Sequence, residues 1–252
     1  MVLALPFGLA IGLSLGALGG GGAVLALPVL VYVLGEDVHS ATTASLAVVV
    51  AAALAGGAVQ ASRAQVCWAQ VAVFAPSALA GVVAGTLANE AVAGDVLMLA
   101  FVPVLLAAAA FTWIRAGGSE DPEQGCPPLD RGRASVAGLA IGGLTGFLGV
   151  GGGFLVVPIL ALAMGFSLRR AIGTSLVIVG FVSVAGLAVH LWRGAEVDAG
   201  PTAAMALGCA IGALAGARLA ARVPQRTLGR SFSMLLVAVG AYLLVASALP
   251  GA

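Results

Sequence analysis

Charged residues are scarce in this chain. They make up 8% of the 252 residues, whereas 61% are hydrophobic and the mean hydropathy is +1.14. Soluble domains carry about 25% charged residues, so a surface of this composition is unsuited to water. The sequence therefore predicts an integral membrane protein, with the lipid bilayer as its first partner.

The residue clusters that catalysis or metal binding needs are also missing. No Ser-His-Asp arrangement and no metal-type group of His and Cys can be assembled, and the carboxylates Glu90, Asp95, Glu196 and Asp198 mark the ends of predicted spans. Carboxylates inside a span would indicate an ion pathway. We therefore expect no enzyme, no metal, no cofactor and, without a basic tail, no nucleic-acid partner.

The cysteines are few and isolated. Cys67, Cys126 and Cys209 are an odd number without paired or metal-type spacing, which argues against a disulfide framework. We expect each of them to be a small residue of the core or of the lipid-facing surface.

The long apolar runs form two series, and about 20 residues suffice to span the hydrocarbon. Between the series lies a polar stretch rich in Pro and Gly, which is typical of a linker. The sequence predicts an N-terminal transmembrane repeat (1–116), a cytoplasmic linker (117–133) and a C-terminal transmembrane repeat (134–252). The apolar runs are 3–34, 41–61, 68–88 and 96–114 in the first half, and 134–165, 171–191, 201–221 and 232–249 in the second.

The second half repeats the first in a constant register. The segment Gly8-Leu9-Ala10-Ile11-Gly12 is identical to Gly138-Leu139-Ala140-Ile141-Gly142. Segments rich in Ala, Leu and Gly resemble one another by chance, but chance does not keep sparse residue types in register. The matched pairs include Pro28 and Pro158, Ser45 and Ser175, and Arg63 and Arg193, with His190 at the position of Gln60.

Glycine clusters interrupt the first apolar run of each half, at 19–22 and at 149–153. Glycine frees the backbone and weakens helices. In the first half it leaves pieces of about 16 and 12 residues, which as helices rise only about 18–24 Å of the roughly 30 Å core. Such short helices are tolerated where protein or a water-filled cavity surrounds their ends.

The arginines favour one topology. If each glycine-cut run crosses once, they divide evenly between the two sides, which the positive-inside rule disfavours. If each run enters and returns as a hairpin, one side holds all the arginines counted except Arg193. We therefore predict an all-α polytopic protein of two inverted repeats, each a glycine-broken hairpin of short helices followed by three spanning helices. Both termini would be periplasmic, in a bacterial inner membrane.

The two glycine breaks are the candidate binding site. Successive backbone N–H groups in a glycine turn form a concave anion site, to which a following helix N-terminus adds positive potential. The alternative is that the glycines only allow helices to pack closely. The predicted substrate-binding glycines are Gly20, Gly21, Gly22, Gly151, Gly152 and Gly153.

Hydroxyls follow each break, at Ser45 in the first half and at Thr174 and Ser175 in the second. They can cap the next helix or donate to an anion, and we include them in the candidate site. His190 is the candidate for proton coupling, since histidine titrates near neutral pH. Its alternative is an interfacial residue beside Trp192.

The motifs resemble those of a known family. Gly149-x-Gly151-Gly152-Gly153-Phe154-Leu155-Val156-Val157-Pro158, followed by Ala171-x-Gly173-Thr174-Ser175-Leu176, is similar to the sulfite exporter TauE/SafE family of membrane permeases. The pattern returns in the first half around Gly19–Gly22, Pro28 and Ser45, where Ala23 replaces the last glycine and Ala44 the threonine.

The resemblance implies a secondary transporter that moves small sulfur-containing anions, such as sulfite, thiosulfate or organosulfonates, by alternating access. The residues themselves indicate only a small anion, an inverted repeat and broken helices. The alternatives are a channel-like pore for another small anion, a permease for carboxylates or other organic anions, and a membrane scaffold without transport. A homo-oligomer is compatible with the sequence.

Overall fold

The chain is all-α. A computed structural model describes residues 4–30, 38–89, 103, 106–110, 112–114, 125–148, 153–192 and 199–248, which are about 89% helical and contain no strand. A 3₁₀ helix, Gly19–Gly22, joins the first two α-helices. The helices are α1 (Ala4–Leu18), α2 (Ala23–Pro28), α3 (Val38–Ser62), α4 (Trp68–Asn89), α5 (Arg131–Leu148), α6 (Gly153–Ala163), α7 (Leu168–Trp192), α8 (Ala199–Ala220) and α9 (Gln225–Ala248).

Four of these helices are long and apolar enough to cross a membrane. The spanning segments are Thr43–Ser62 in α3, Trp68–Gly85 in α4, Leu168–Trp192 in α7 and Gly200–Ala220 in α8. They confirm the spans predicted at 41–61, 68–88, 171–191 and 201–221. Helix α1 is apolar but shorter, with 15 residues. The predicted span 96–114 lies largely outside the described residues, and its described parts, 106–110 and 112–114, are helical.

Helix α5 begins at Arg131, three residues before the apolar run at 134–165. Asp130 explains the earlier start, because its side-chain Oδ1 accepts a hydrogen bond from the Arg133 backbone N–H at 3.1 Å. This is the geometry of a helix N-cap, which satisfies one of the unpaired N–H groups of the first turn.

The expectation for the cysteines is wrong for two of the three. Cys67 and Cys126, 59 residues apart in sequence, form a disulfide that joins the linker to the start of α4. The Gln70 side chain holds the same segments together by donating to the Pro127 carbonyl at 2.6 Å. Spacing in the sequence cannot reveal this fold-back. Cys209 is free and buried in α8, as expected.

Backbone contacts pair helices from opposite halves. Gly12 of α1 lies against the Cys209 backbone of α8, and Gly142 of α5 lies against the Ala78 backbone of α4, so closely that a Cβ at either glycine would overlap a carbonyl oxygen. Gly12 and Gly142 occupy equivalent positions of the repeat, and Ala78 and Cys209 differ from equivalence by a single position. In one contact a glycine of the first half packs on a helix of the second half. In the other contact the equivalent glycine of the second half packs on a helix of the first half.

Helices α3 and α7 cross antiparallel, also in reciprocal contacts. The Cβ position of Gly56 lies 3.4 Å from a Leu176 methyl, and that of Gly186 lies 3.4 Å from a Leu46 methyl. The two glycines are equivalent in the register of the repeat, and so are the two leucines. Residues near the start of α3 therefore contact the end of α7, and residues near the end of α3 contact the start of α7.

The described arginines all lie at one end of the bundle, which we call the arginine end. It comprises the C-terminal ends of α3 and α8 and the starts of α4, α5, α7 and α9. Arg170 donates to the Ala64 carbonyl after α3 at 3.0 Å, and Arg63 donates to Ala217 in α8 at 3.3 Å. The single-crossing arrangement would put Arg63 and Arg170 on opposite sides, so these contacts exclude it.

The chain from α5 to α7 leaves the arginine end and returns to it. Arg170, at the start of α7, lies 3.5 Å from the sulfur of Cys126, five residues before α5 begins. Helix α5 rises about 27 Å over its 18 residues, and α6 brings the chain back. The described residues of this segment therefore have the hairpin geometry that the arginine distribution predicts.

Neighbouring glycines on α5 provide a test of the backbone contacts. A methyl group at Gly142 would overlap the Ala78 carbonyl, whereas the nearest atom to a methyl at Gly143 is the Gly81 oxygen at 3.9 Å. We expect Gly142→Ala to destabilise the protein by about 1–3 kcal/mol, the usual cost of overpacking. Gly143→Ala should be neutral or stabilising by up to about 1 kcal/mol, since alanine favours the helix. Thermal unfolding in detergent compares the two, and equal melting temperatures would contradict the close packing of α5 on α4.

Candidate functional site

The glycine break of the first half is a tight turn between α1 and α2. Gly19 has φ +76°, a left-handed conformation that glycine adopts without strain. A Cβ at Gly20 would overlap the Gly153 carbonyl, so the two backbones are in contact. The break in the first half therefore touches the first residue of α6, and Gly20 and Gly153, both predicted site residues, are neighbours.

Two of the other predicted glycines lie within the described residues and two lie outside them. Gly21 and Gly22 complete the 3₁₀ helix, whereas Gly151 and Gly152 lie outside the described residues. Helix α2 has only six residues and α6 has 11. Helix α6 is therefore the longer of the two helices that follow the breaks, and its first residue, Gly153, contacts Gly20 through its carbonyl group and Cα.

Thr174 and Ser175 are fully buried in α7. They lie six and seven residues beyond its start at Leu168, so the interpretation of these hydroxyls as helix caps is wrong. Ser45 is likewise inside α3, which begins at Val38, and is half-buried. The apolar pattern placed both helix starts too late because each helix begins with polar residues.

The two buried hydroxyls make different hydrogen bonds. Ser175 donates to the Ile172 carbonyl at 2.8 Å, and its Oγ lies 2.6 Å from the Cβ position of Gly19. Thr174 instead accepts the Cys67 backbone N–H at 3.1 Å. An anion needs donors, and the single O–H of Ser175 is already engaged within its helix. The O–H of Thr174 is not used in its bond to Cys67.

His190 lies at the opposite end of α7 from the arginine end. Its Nδ1 is 3.1 Å from the Thr43 hydroxyl of α3, and the residue is half-buried. This contact links the two antiparallel helices. The structure therefore places the candidate for proton coupling at the crossing of α3 and α7, apart from the contact between Gly20 and Gly153.

Comparison with known proteins identifies the family. The model of the family described as "Sulfite exporter TauE/SafE" matches residues 4–243. The chain belongs to the TauE/SafE family. A "Probable membrane transporter protein" of Xylella fastidiosa strain 9a5c is 30% identical, over 97% of this chain and 95% of that protein, and its counterpart in strain Temecula1 is equally similar. "Probable membrane transporter protein MamO" of Paramagnetospirillum magneticum is 32% identical over 49% of this chain and 21% of its own length. No solved structure matches.

Membership in the TauE/SafE family makes this chain a membrane transporter and not an enzyme, as the sequence predicts. Among the described residues, no group of three or more His, Cys, Asp or Glu side chains could hold a metal ion.

The TauE/SafE chain also has a cavity of about 50 Å³ at the arginine end. Its walls come from the ends of α3 and α8 and the starts of α7 and α9, and include Gln60, Arg63, Gln65, Arg169, Ile172 and Leu228. The sequence signal was the pair Arg169-Arg170 directly before a spanning run.

Thr174 offers a test of a structural against a ligand role. In Thr174→Val the buried Cys67 N–H loses its acceptor, and we expect a loss of about 1–3 kcal/mol in stability. Thr174→Ser keeps the oxygen and should retain most of that stability. Melting temperatures of the two variants are compared with wild type, together with substrate transport. Lost transport in Thr174→Val at an unchanged melting temperature would contradict the structural role and assign the hydroxyl to the substrate.

Proposed function

We propose that this chain is a secondary transporter that moves small sulfur-containing anions, such as sulfite, thiosulfate or organosulfonates, across the bacterial inner membrane by alternating access. The observation that carries the proposal is the backbone contact between Gly20 and Gly153, where interrupted helices of the two halves meet. Broken helices near the membrane midplane are where transporters with repeated halves bind substrate. The family description, sulfite exporter, supports the substrate class.

The anion would be held mainly by the backbone. Helices α1, α2 and α6 carry no charged residue, so the glycine break has no ionised side chain on these elements. The proposed ligands are N–H groups of Gly20, Gly21, Gly22, Gly151, Gly152 and Gly153, with the hydroxyls of Ser45 and Thr174. The Ser175 hydroxyl joins them in the proposal only by turning its O–H from the Ile172 carbonyl to the anion. Successive N–H groups at a helix N-terminus favour an anion without a buried cation.

The alternating-access mechanism rests on an inverted repeat. The reciprocal contacts support it: Gly12 with Cys209 matches Gly142 with Ala78, and α3 crosses α7 antiparallel. Two halves related in this way have two equivalent packings, one open to each side of the membrane. His190, hydrogen-bonded to Thr43 where α3 crosses α7, is the proposed site of proton coupling.

The arginine end is proposed to face the cytoplasm, because arginine concentrates in cytoplasmic loops. Helices α1 and α9 then place both termini in the periplasm. The disulfide between Cys67 and Cys126 argues for the opposite orientation, since disulfides persist in oxidising compartments. The arginines carry more weight, because they determine insertion whereas a disulfide forms only after folding.

A reporter fused to the C-terminus tests this orientation. We expect alkaline phosphatase fused after residue 252 to be active and green fluorescent protein at the same place to be dark, because the first requires the periplasm and the second the cytoplasm. Fusions in the linker, after residue 120, should give the reverse result. A fluorescent C-terminal fusion would reverse the orientation and agree with the disulfide.

Transport by purified protein tests the function. Proteoliposomes with wild-type protein should take up labelled sulfite, thiosulfate or taurine saturably, and a pH gradient should change the rate if protons are coupled. Gly20→Ala should reduce the rate by roughly tenfold or more, since an overlap with Gly153 costs about 1–3 kcal/mol in the packing that the cycle requires.

Gly57→Ala is the matched control, because the nearest atom to its Cβ position is a Val177 methyl at 3.7 Å and transport should be retained. Uptake that rises linearly with anion concentration would indicate a channel-like pore. Absence of movement of all three anions by folded wild-type protein would refute the proposed substrate class.

A further inference from the structure

We propose that the cavity at the arginine end is a second anion site, which receives a small oxyanion between Arg63 and Arg169 before it reaches the glycine break. This inference rests on the proposed function and adds to it a binding site with side-chain cations. The ligand class is a compact oxyanion, such as a sulfur oxyanion, whose oxygens accept several N–H groups at once.

The guanidinium groups of Arg63 and Arg169 keep N–H donors that their hydrogen bonds to backbone carbonyls do not use. Arg169 donates from its two terminal nitrogens to the carbonyls of Ala221 and Val223, each at 3.0 Å, and Arg63 donates once to Ala217. These bonds neutralise the C-terminal carbonyls of α8, as cations at helix ends do. A guanidinium has five N–H donors, so three remain on Arg169 and four on Arg63 after these bonds.

Gln60 adds a polar side chain to the cavity wall. Its exposed fraction is 6%, it lines the cavity, and its side-chain amide makes no hydrogen bond to any described residue. Its amide is not among the fully enclosed unpartnered side-chain groups of the described residues, so it is accessible from the cavity. An anion or water in the cavity would accept the Gln60 amide N–H.

The charge balance of the cavity favours an anion. Among the described residues, no carboxylate lies within salt-bridge distance of Arg63 or Arg169, and the one ion pair found joins Asp130 to Arg133. Arginine forks match the geometry of oxyanions and bind them by paired hydrogen bonds. Two arginines without a described counter-ion around one cavity therefore suit a compact oxyanion.

The chain that forms the cavity wall is held in an unusual conformation. Ala64 lies between Arg63 and Gln65 and has φ 53°. Among the described non-glycine residues, it is the one with a positive φ. Arg170 fixes it by donating to the Ala64 carbonyl at 3.0 Å, and the Gln65 N–H bonds back to the Gln60 carbonyl at 3.0 Å. The turn therefore holds Gln60, Arg63 and Gln65 around the cavity at a cost in backbone strain.

The cavity adjoins the glycine break through one residue. Ile172 lines the cavity, its carbonyl accepts the Ser175 hydroxyl, and its Cα lies 3.3 Å from the Cβ position of Gly19. The volume of about 50 Å³ compares with about 10–15 Å³ for one water on the same measure. A compact oxyanion therefore fits next to the break, with Ile172 between the two sites.

The rate at which a maleimide labels a single cysteine introduced on the cavity wall measures whether an anion occupies the cavity. Gln65→Cys places the thiol on the wall, while Cys67 and Cys126 are paired and Cys209 is buried. The protein is studied in phosphatidylcholine nanodiscs with a neutral maleimide. Sulfate is the probe, because sulfite attacks disulfides. We expect sulfate at about ten times its half-protecting concentration to slow labelling by about tenfold, because only the unoccupied cavity reacts, and chloride at equal ionic strength to slow it little.

Variants in the Gln65→Cys background locate the effect. Arg63→Gln should abolish sulfate protection, and Gln60→Glu should abolish it as well, because its carboxylate would pair with the arginines and repel the anion. Arg226→Gln is the matched control, since Arg226 is exposed on α9 at the same end and does not line the cavity. Protection that is absent in the parent, or that survives both cavity substitutions, would overturn the proposal.

A lipid phosphate offers the same chemistry as sulfate. Nanodiscs of phosphatidylglycerol distinguish the two sources: slow labelling there without sulfate would assign the cavity to a headgroup and overturn the free-anion site. Wild-type transport of sulfite or thiosulfate is measured in parallel. If wild type transports and sulfate gives no cavity-dependent protection, only this second site fails. If wild type transports no anion, the proposed function fails independently of the labelling result.

Discussion

The structure depends on backbone-to-backbone contact between helices of opposite halves. In lipid the hydrophobic effect does not drive helices together, so association relies on close packing and on hydrogen bonds between helices. Gly12 against Cys209 and Gly142 against Ala78 provide that packing at two places, and Gly20 against Gly153 provides it at a third. Each contact joins one half of the chain to the other. Each half therefore makes these close backbone contacts with the other half and not within itself.

This dependence explains why the break can sit in the middle of the bundle. A helix interrupted in lipid leaves N–H and C=O groups unpaired, at a cost of several kcal/mol each, so the interruption must be enclosed by protein or reach water. The break at Gly19–Gly22 is enclosed by α6 and α7, through Gly153 and Ser175. Under the proposed function, backbone donors of the break would meet a dehydrated anion in an otherwise apolar surrounding.

Periodicity and composition were sufficient to predict four of the spans and the grouping of the described arginines. Both agree with the structure, because each reflects a bilayer that sorts residues by polarity. The division into two repeats and the roles of the site residues remain predictions. The disulfide and the helix starts were missed for a common reason. Both depend on which segments fold back on one another at the polar membrane surface, where hydropathy carries little information.

The glycine break and the cavity at the arginine end impose opposite requirements on an anion. Arginines at the surface attract anions strongly, but a cation buried at the midplane would bind an anion too tightly for rapid release and would itself be costly in lipid. Neutral N–H donors hold the anion more weakly and cost less to enclose. Under the proposed function, Arg63 and Arg169 at the mouth with only glycine and hydroxyl groups at the break would separate capture from passage. Ile172 between them would then be the barrier to an anion, and its carbonyl accepts the Ser175 hydroxyl on the side of the break.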